Sequence, residues 1–134
     1  MESPKEKLDA YLESVGGLVN GWRPDRPPIK DSHSFDCNEG WYSLIQRLIE
    51  DLIELGWDKQ VTQVKEKFGG LRFYINVGSN EVHKRITEAE HESYTICEDC
   101  GEPGELRKDL GWYFTLCDTH HQQKKEERNK NKTD

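Results

Sequence analysis

The chain has 134 residues, 34% of them charged and 33% hydrophobic, and a formal charge of −7. That length suits one compact domain, or a small domain with an appended module, and so apolar-poor a chain needs something besides packing to hold its core. No run approaches the ~20 apolar residues of a membrane helix, and an acidic whole does not attract phosphate backbones.

Ser3-Pro4-Lys5-Glu6 is a helix start, with a Ser N-cap, Pro at the first helical position and Glu at the capping-box position. Leu8, Tyr11, Leu12 and Val15 then make an apolar stripe, which Gly16-Gly17 ends. From Asn20 to Phe35 the chain reads as an irregular connector, bent by Pro24, Pro27 and Pro28 and anchored by Trp22.

The strongest helix starts near Asn38 or Glu39. Trp41, Leu44, Ile45, Leu48, Ile49, Leu52 and Ile53 recur at helical spacing, and Gly56 is the natural C-terminal cap. Residues 61–77 read as a β-hairpin. Its second arm alternates, with Leu71, Phe73, Ile75 and Val77 on one face and Arg72, Tyr74 and Asn76 on the other. Gly69-Gly70 marks the reversal, where positive φ is needed. A third helix is expected from Asn80 to Tyr94, with Val82, Ile86, Ala89 and Tyr94 inward.

Cys97-Glu98-Asp99-Cys100, sixteen residues, then Cys117-Asp118-Thr119-His120 is the spacing of a tetrahedral metal site made from two tight knuckles. We read it as one structural zinc ion held by Cys97, Cys100, Cys117 and His120, with His121 the alternative fourth ligand. Such a Cys3His set leaves no position open for water, which favours a structural role. A disulfide framework would suit a secreted chain, but Met1-Glu2-Ser3-Pro4 leads into charge rather than an apolar leader, so reduced thiols and a cytoplasmic setting are expected. Between the knuckles, residues 105–108 and 112–116 read as two short strands, and a helix begins near His120. Knuckle, hairpin and helix follow in the order of a treble-clef zinc finger.

The expected fold is therefore α+β. Residues 1–94 form a body of helices packed on a small antiparallel hairpin sheet, residues 95–122 a treble-clef-like zinc module, and residues 123–134 a charged tail that frays. Charge divides along the same line: residues 1–105 carry −9 and residues 106–134 carry +2.

Phe35-Asp36-Cys37-Asn38-Glu39-Gly40-Trp41-Tyr42, the run Gln63-Val64-Lys65-Glu66-Lys67-Phe68-Gly69-Gly70-Leu71-Arg72-Phe73-Tyr74, Ala89-Glu90 and the Cys97–His121 module together resemble a widespread set of small uncharacterised proteins of phages, prophages and bacteria. The resemblance covers about residues 35–121, and Lys65 to Tyr74 is its most specific part. It implies a phage or prophage context and a zinc module, and no particular reaction.

The first functional reading is a non-enzymatic protein that binds a host protein, for instance as an inhibitor of host defence. Its candidate surface is Lys65, Lys67, Arg72 and Tyr74 of the hairpin, with Arg107 and Lys108 of the module; the bland reading of these residues is a solvated strand face. The alternative is a nucleic-acid-binding accessory in which Arg107, Lys108, Trp112, Tyr113, Lys124, Lys125 and Arg128 line a basic, aromatic side. Interleaved Glu98, Asp99, Glu102, Glu105, Glu126 and Glu127 weigh against it. A metal-dependent nuclease would need a free histidine base beside an open metal position, with His121 the candidate base. Asp31, His33, Asp36 and Cys37 are a weaker metal candidate, Cys37 reading better as a small apolar residue at the core helix. His83 and His91 read as parts of a solvated acidic face.

Overall fold

A computed structural model describes residues 3–16, 18–19, 35–75 and 77–132, with side chains described for all of these except 18–19 and 129–132. The expected connector lies outside the described residues apart from Phe35, as do Asp31 and His33. Among the described residues the chain is α+β, with four helices, a four-stranded mixed sheet and a separate two-stranded sheet.

Helix α1 (Pro4–Ser14) begins as the sequence dictates. The Ser3 side chain accepts the Glu6 N–H at 3.2 Å, and Leu8 and Leu12 are buried. The Trp41–Leu52 stripe is the centre of the molecule. A 3-10 turn (Glu39–Trp41) runs into helix α2 (Tyr42–Glu54), and Trp41, Leu44, Ile45, Leu48, Ile49 and Leu52 are all buried. Each such side chain contributes roughly 1.5–3 kcal/mol when taken from water, so this one helix face dominates the core. Trp57, just past the cap at Gly56, closes the same core edge-on to Phe73.

Strands β3 (Gln60–Lys67) and β4 (Gly70–Ile75) form the expected hairpin. A register shift between Val61 and Gln63 lets Val61 and Val64, an odd spacing apart, both point inward. The sheet is larger than a hairpin. Strands β1 (Leu18–Val19) and β2 (Phe35–Asp36) each pair in parallel with β3, at Gln60–Val61 and Val64–Lys65, on the edge opposite β4. The expectation of a purely antiparallel sheet is thus corrected to a mixed one; two-residue strands carry no periodicity to read. Val77 is a second correction. The strand stops at Ile75, and Val77 is exposed rather than inward.

Helix α3 (Asn80–Ser93) is capped by Ser79, whose side chain accepts the Val82 N–H. It packs on α2, to which Arg85 ties it by a 2.8 Å bond to Asp51. Strands β5 (Glu105–Arg107) and β6 (Phe114–Leu116) pair antiparallel, and helix α4 (Asp118–Lys132) continues through the polar tail. No helix among the described residues is long and apolar enough to cross a membrane.

Candidate metal centre and the joint that carries it

The end of α3 delivers Cys97 to the first knuckle. The Gly101 N–H donates to the Cys97 carbonyl at 2.9 Å, and Gly101 takes φ +83°, which turns the chain back after Cys100. Strand β6 delivers Cys117. Helix α4 then begins, so that the His120 N–H points at Cys117 Sγ from 3.5 Å and the His121 N–H donates to the Cys117 carbonyl at 2.9 Å.

These elements bring Cys97, Cys100, Cys117 and His120 together, with one ligand atom from each lying within 4.8 Å of all the others. His120 Nδ1 is 3.5 Å from Cys97 Sγ and 3.2 Å from Cys117 Sγ, and the Cys100 and Cys117 sulfurs are 3.8 Å apart. All four cysteines of the chain are free of disulfides. The cluster can hold a metal ion. As bare thiols its members pull apart: the His120 backbone N–H lowers Cys117 to about 7, while desolvation pushes Cys100 up to about 11. Three sulfurs this close become thiolates together only around a cation.

His121 is placed elsewhere. Its Nε2 lies 2.9 and 3.0 Å from the two carboxylate oxygens of Asp109, which also sits 3.8 Å from Lys125. The Asp109 carboxyl is held below its ordinary range, first by that histidine.

The knuckle is fused to the core helix. The Glu98 carboxylate accepts the Asn38 N–H at 3.0 Å, and the Glu98 carbonyl accepts the Gly40 N–H at 2.7 Å. Asn38, at the N-cap position, makes no side-chain cap of its own; its Nδ2 instead donates to Asp99 at 2.7 Å. The first knuckle therefore satisfies donors at the start of the central helix. Burial pushes the Glu98 carboxyl up to about 7, against the lowering effect of the Asn38 N–H. A Cβ at Gly40 would lie 2.2 Å from the Cys97 carbonyl oxygen, so only glycine admits this approach. Trp41 Nε1 completes the joint by donating to the Ile96 carbonyl at 2.9 Å.

The hairpin turn docks on the other side of the module. Phe68 and Gly69 are its two central residues, with φ +54° and +84°, and the flanking Lys67 and Gly70 pair across the ladder. Gly70 needs its missing side chain for another reason: a Cβ there would strike the Tyr94 ring at 2.4 Å. The Glu66 carboxylate accepts the Gly69 N–H at 2.7 Å, and buried Thr115 donates to the Gly69 carbonyl at 2.6 Å. Buried Ser93 accepts the Leu71 N–H at 2.9 Å.

The candidate interaction residues fall into different settings. Arg72 pairs with Glu90, and Arg107 is held by Glu105, Asp118 and the Leu116 carbonyl. Tyr74, Lys67 and Lys108 are exposed, while Lys65 is half-buried across the ladder from Arg72. Exposed Phe68 was not among the sequence candidates. It stacks on Trp112 at 5.7 Å and lies edge-on to Tyr113 at 6.1 Å. A bulky residue between Lys67 and Gly69, at a turn that wants positive φ, was the signal available for it.

Comparison with protein-family models, with curated proteins and with solved structures finds no match.

Proposed function

We propose that this chain is a small zinc-binding, non-enzymatic protein of phage or prophage type that acts by binding another protein, with a host defence protein the candidate target. The observation that carries the metal reading is the closed Cys3His cluster at the joint between body and module. Tetrahedral zinc with Zn–S of about 2.3 Å and Zn–N of about 2.0–2.1 Å requires sulfurs roughly 3.8 Å apart and S···N separations of roughly 3.5 Å. The separations of 3.8, 3.5 and 3.2 Å suit that ion, and thiolate-rich donor sets favour zinc over hard cations. Four protein ligands leave zinc no position for a reacting water, which supports a structural role and a treble-clef reading of the knuckle, hairpin and helix.

The nuclease reading is weaker because its candidate base, His121, is bonded to Asp109 and is not a member of the four-residue cluster. The phage context rests on the resemblance of the Lys65–Tyr74 string and the cysteine module, and the binding role on the acidic body and the small protein's class. Free thiols placed to serve a metal support the cytoplasmic reading.

The test is metal analysis of the purified chain, then affinity capture from host lysate with and without nuclease treatment. About one zinc per chain and a stoichiometric, nuclease-resistant protein partner are expected. A chain that is folded and metal-free sinks the zinc reading. Loss of every partner on nuclease treatment, with steep salt dependence, replaces the protein-binding reading with the nucleic-acid one.

A further inference from the structure

Three large aromatic side chains lie together on the surface where the hairpin turn meets the metal module. Phe68, Trp112 and Tyr113 keep 44%, 52% and 40% of their surface exposed while contacting one another. An open groove of about 300 Å³ runs beside them, walled by Phe68, Tyr113, Leu106 and Tyr94 and rimmed by Lys108. Exposed aromatic clusters of this kind are unusual on an isolated acidic domain and are typical of interaction sites. Phe68 is also held at φ +54°, a region that disfavours bulky side chains, and strained residues of this sort concentrate at functional surfaces.

The charge at the rim selects the occupant. Lys67 lies 5.6 Å from the centre of the Phe68 ring, and among the described residues neither Lys67 nor Lys108 forms an ion pair with a carboxylate. Several neighbouring cations are engaged: Arg107 by Glu105 and Asp118, Lys125 by Asp109, and Lys124 over the Phe114 ring at 4.3 Å. We propose that this groove binds an extended peptide segment of a partner protein, seating one large apolar side chain between Phe68, Tyr113 and Leu106 and presenting adjacent carboxylates to Lys67 and Lys108. A nucleic-acid strand would also stack on rings, but it needs a row of cations along its backbone and would approach a chain of net charge −7. Two rim lysines match a short acidic segment better than a polyanion.

This inference rests on the protein-binding reading, and its test separates the two. The zinc-loaded full chain is used to select from a random displayed peptide library, and the selected peptides are then titrated against wild type, Trp112→Ala and Lys108→Glu. The expected consensus is an apolar residue flanked by Asp or Glu. Trp112→Ala should weaken its binding ~10-fold or more, and Lys108→Glu should weaken it and shift selection away from acidic flanks. Both positions are exposed, and unchanged zinc content and circular dichroism check that the variants fold. No consensus above the Trp112→Ala background, or a consensus without acidic residues, overturns the proposal. So does an oligothymidylate strand that binds more tightly than any peptide and loses affinity on Trp112→Ala. A lysate partner that Trp112→Ala still captures leaves protein binding standing and removes this groove as its site.

Discussion

Gly40, in the 3-10 turn that opens the central helix, lies against Cys97, the first cysteine of the candidate metal cluster: a Cβ on Gly40 would stand 2.2 Å from the Cys97 carbonyl oxygen. Gly40→Ala must therefore displace either the helix start or the knuckle. Both carry buried bonds, and overpacking of a tight site costs about 1–3 kcal/mol. Gly40→Ala should lower the unfolding free energy measured in urea by that much and weaken zinc retention against a chelator. Gly56→Ala is the control, since open space surrounds its Cβ and only the φ of +86° is strained. Equal zinc retention in wild type and Gly40→Ala would show that the approach is slack.

The two neighbouring histidines should separate cleanly. His120→Ala removes a cluster member and should release the metal and unfold the module, as should Cys97→Ser. His121→Ala loses an exposed contact to Asp109 and should keep about one zinc per chain, with little change in stability. Metal analysis after dialysis reads the difference. Zinc kept by His120→Ala and lost by His121→Ala would reverse the ligand assignment.

Thiol counting gives an independent check. Cys37 is half-buried against the core, and burial pushes its thiol well above the ordinary range, so little thiolate is present to react near neutral pH. The holo chain should alkylate slowly at all four cysteines. Chelation should expose three fast thiols and leave Cys37 slow until the body itself unfolds. Four fast thiols on chelation would mean that the core opens with the module.

Thr115→Val tests the coupling of hairpin turn to module. It keeps the side-chain shape and deletes the 2.6 Å bond to the Gly69 carbonyl, leaving a buried acceptor without its donor. Such a loss costs about 1–3 kcal/mol. Thermal unfolding should shift accordingly, and hydrogen exchange at the Phe68–Gly70 turn should quicken more than exchange in α2. Uniform acceleration would assign the bond a merely global role.

Phe68→Asn puts a residue tolerant of positive φ into the turn. Relief of the left-handed strain, about 1–2 kcal/mol, offsets the loss of ring contacts worth ~0.5–1.5 kcal/mol. Net stability by urea denaturation should move by less than ~1 kcal/mol. A core phenylalanine would cost ~3–5 kcal/mol, and a loss of that size would place the Phe68 ring in the structural core rather than on a surface.

These relationships show which parts of the molecule a one-dimensional reading reaches. Periodicity exposes α2 because Trp41 to Leu52 repeat on one face, and α3 because Val82, Ile86 and Ala89 do; a cap exposes α1 because Ser3 acts within three residues. Cysteine spacing brings out the cluster because tight knuckles are local. Partners from distant parts of the chain leave no such trace. Nothing near Asn38 announces that its N–H is met by Glu98, and nothing near Gly70 announces Tyr94. The glycines themselves were the available clue: Gly40 in a helix's first turn and Gly70 beside a Gly that already serves the reversal each imply a close approach from elsewhere. The pairing of Leu18–Val19 and Phe35–Asp36 with β3 was beyond reach, since two residues define no period.

The bond between Glu98 and the start of the central helix spans sixty positions of chain, and it sets an order of events during synthesis. A nascent chain that ends before Glu98 has the whole apolar stripe of α2 but lacks the acceptors for Asn38 and Gly40. One that ends before His120 has those acceptors but an incomplete ligand set. The donors of Asn38 and Gly40 are therefore met before the fourth candidate ligand exists, so the start of the core helix can close ahead of the cluster.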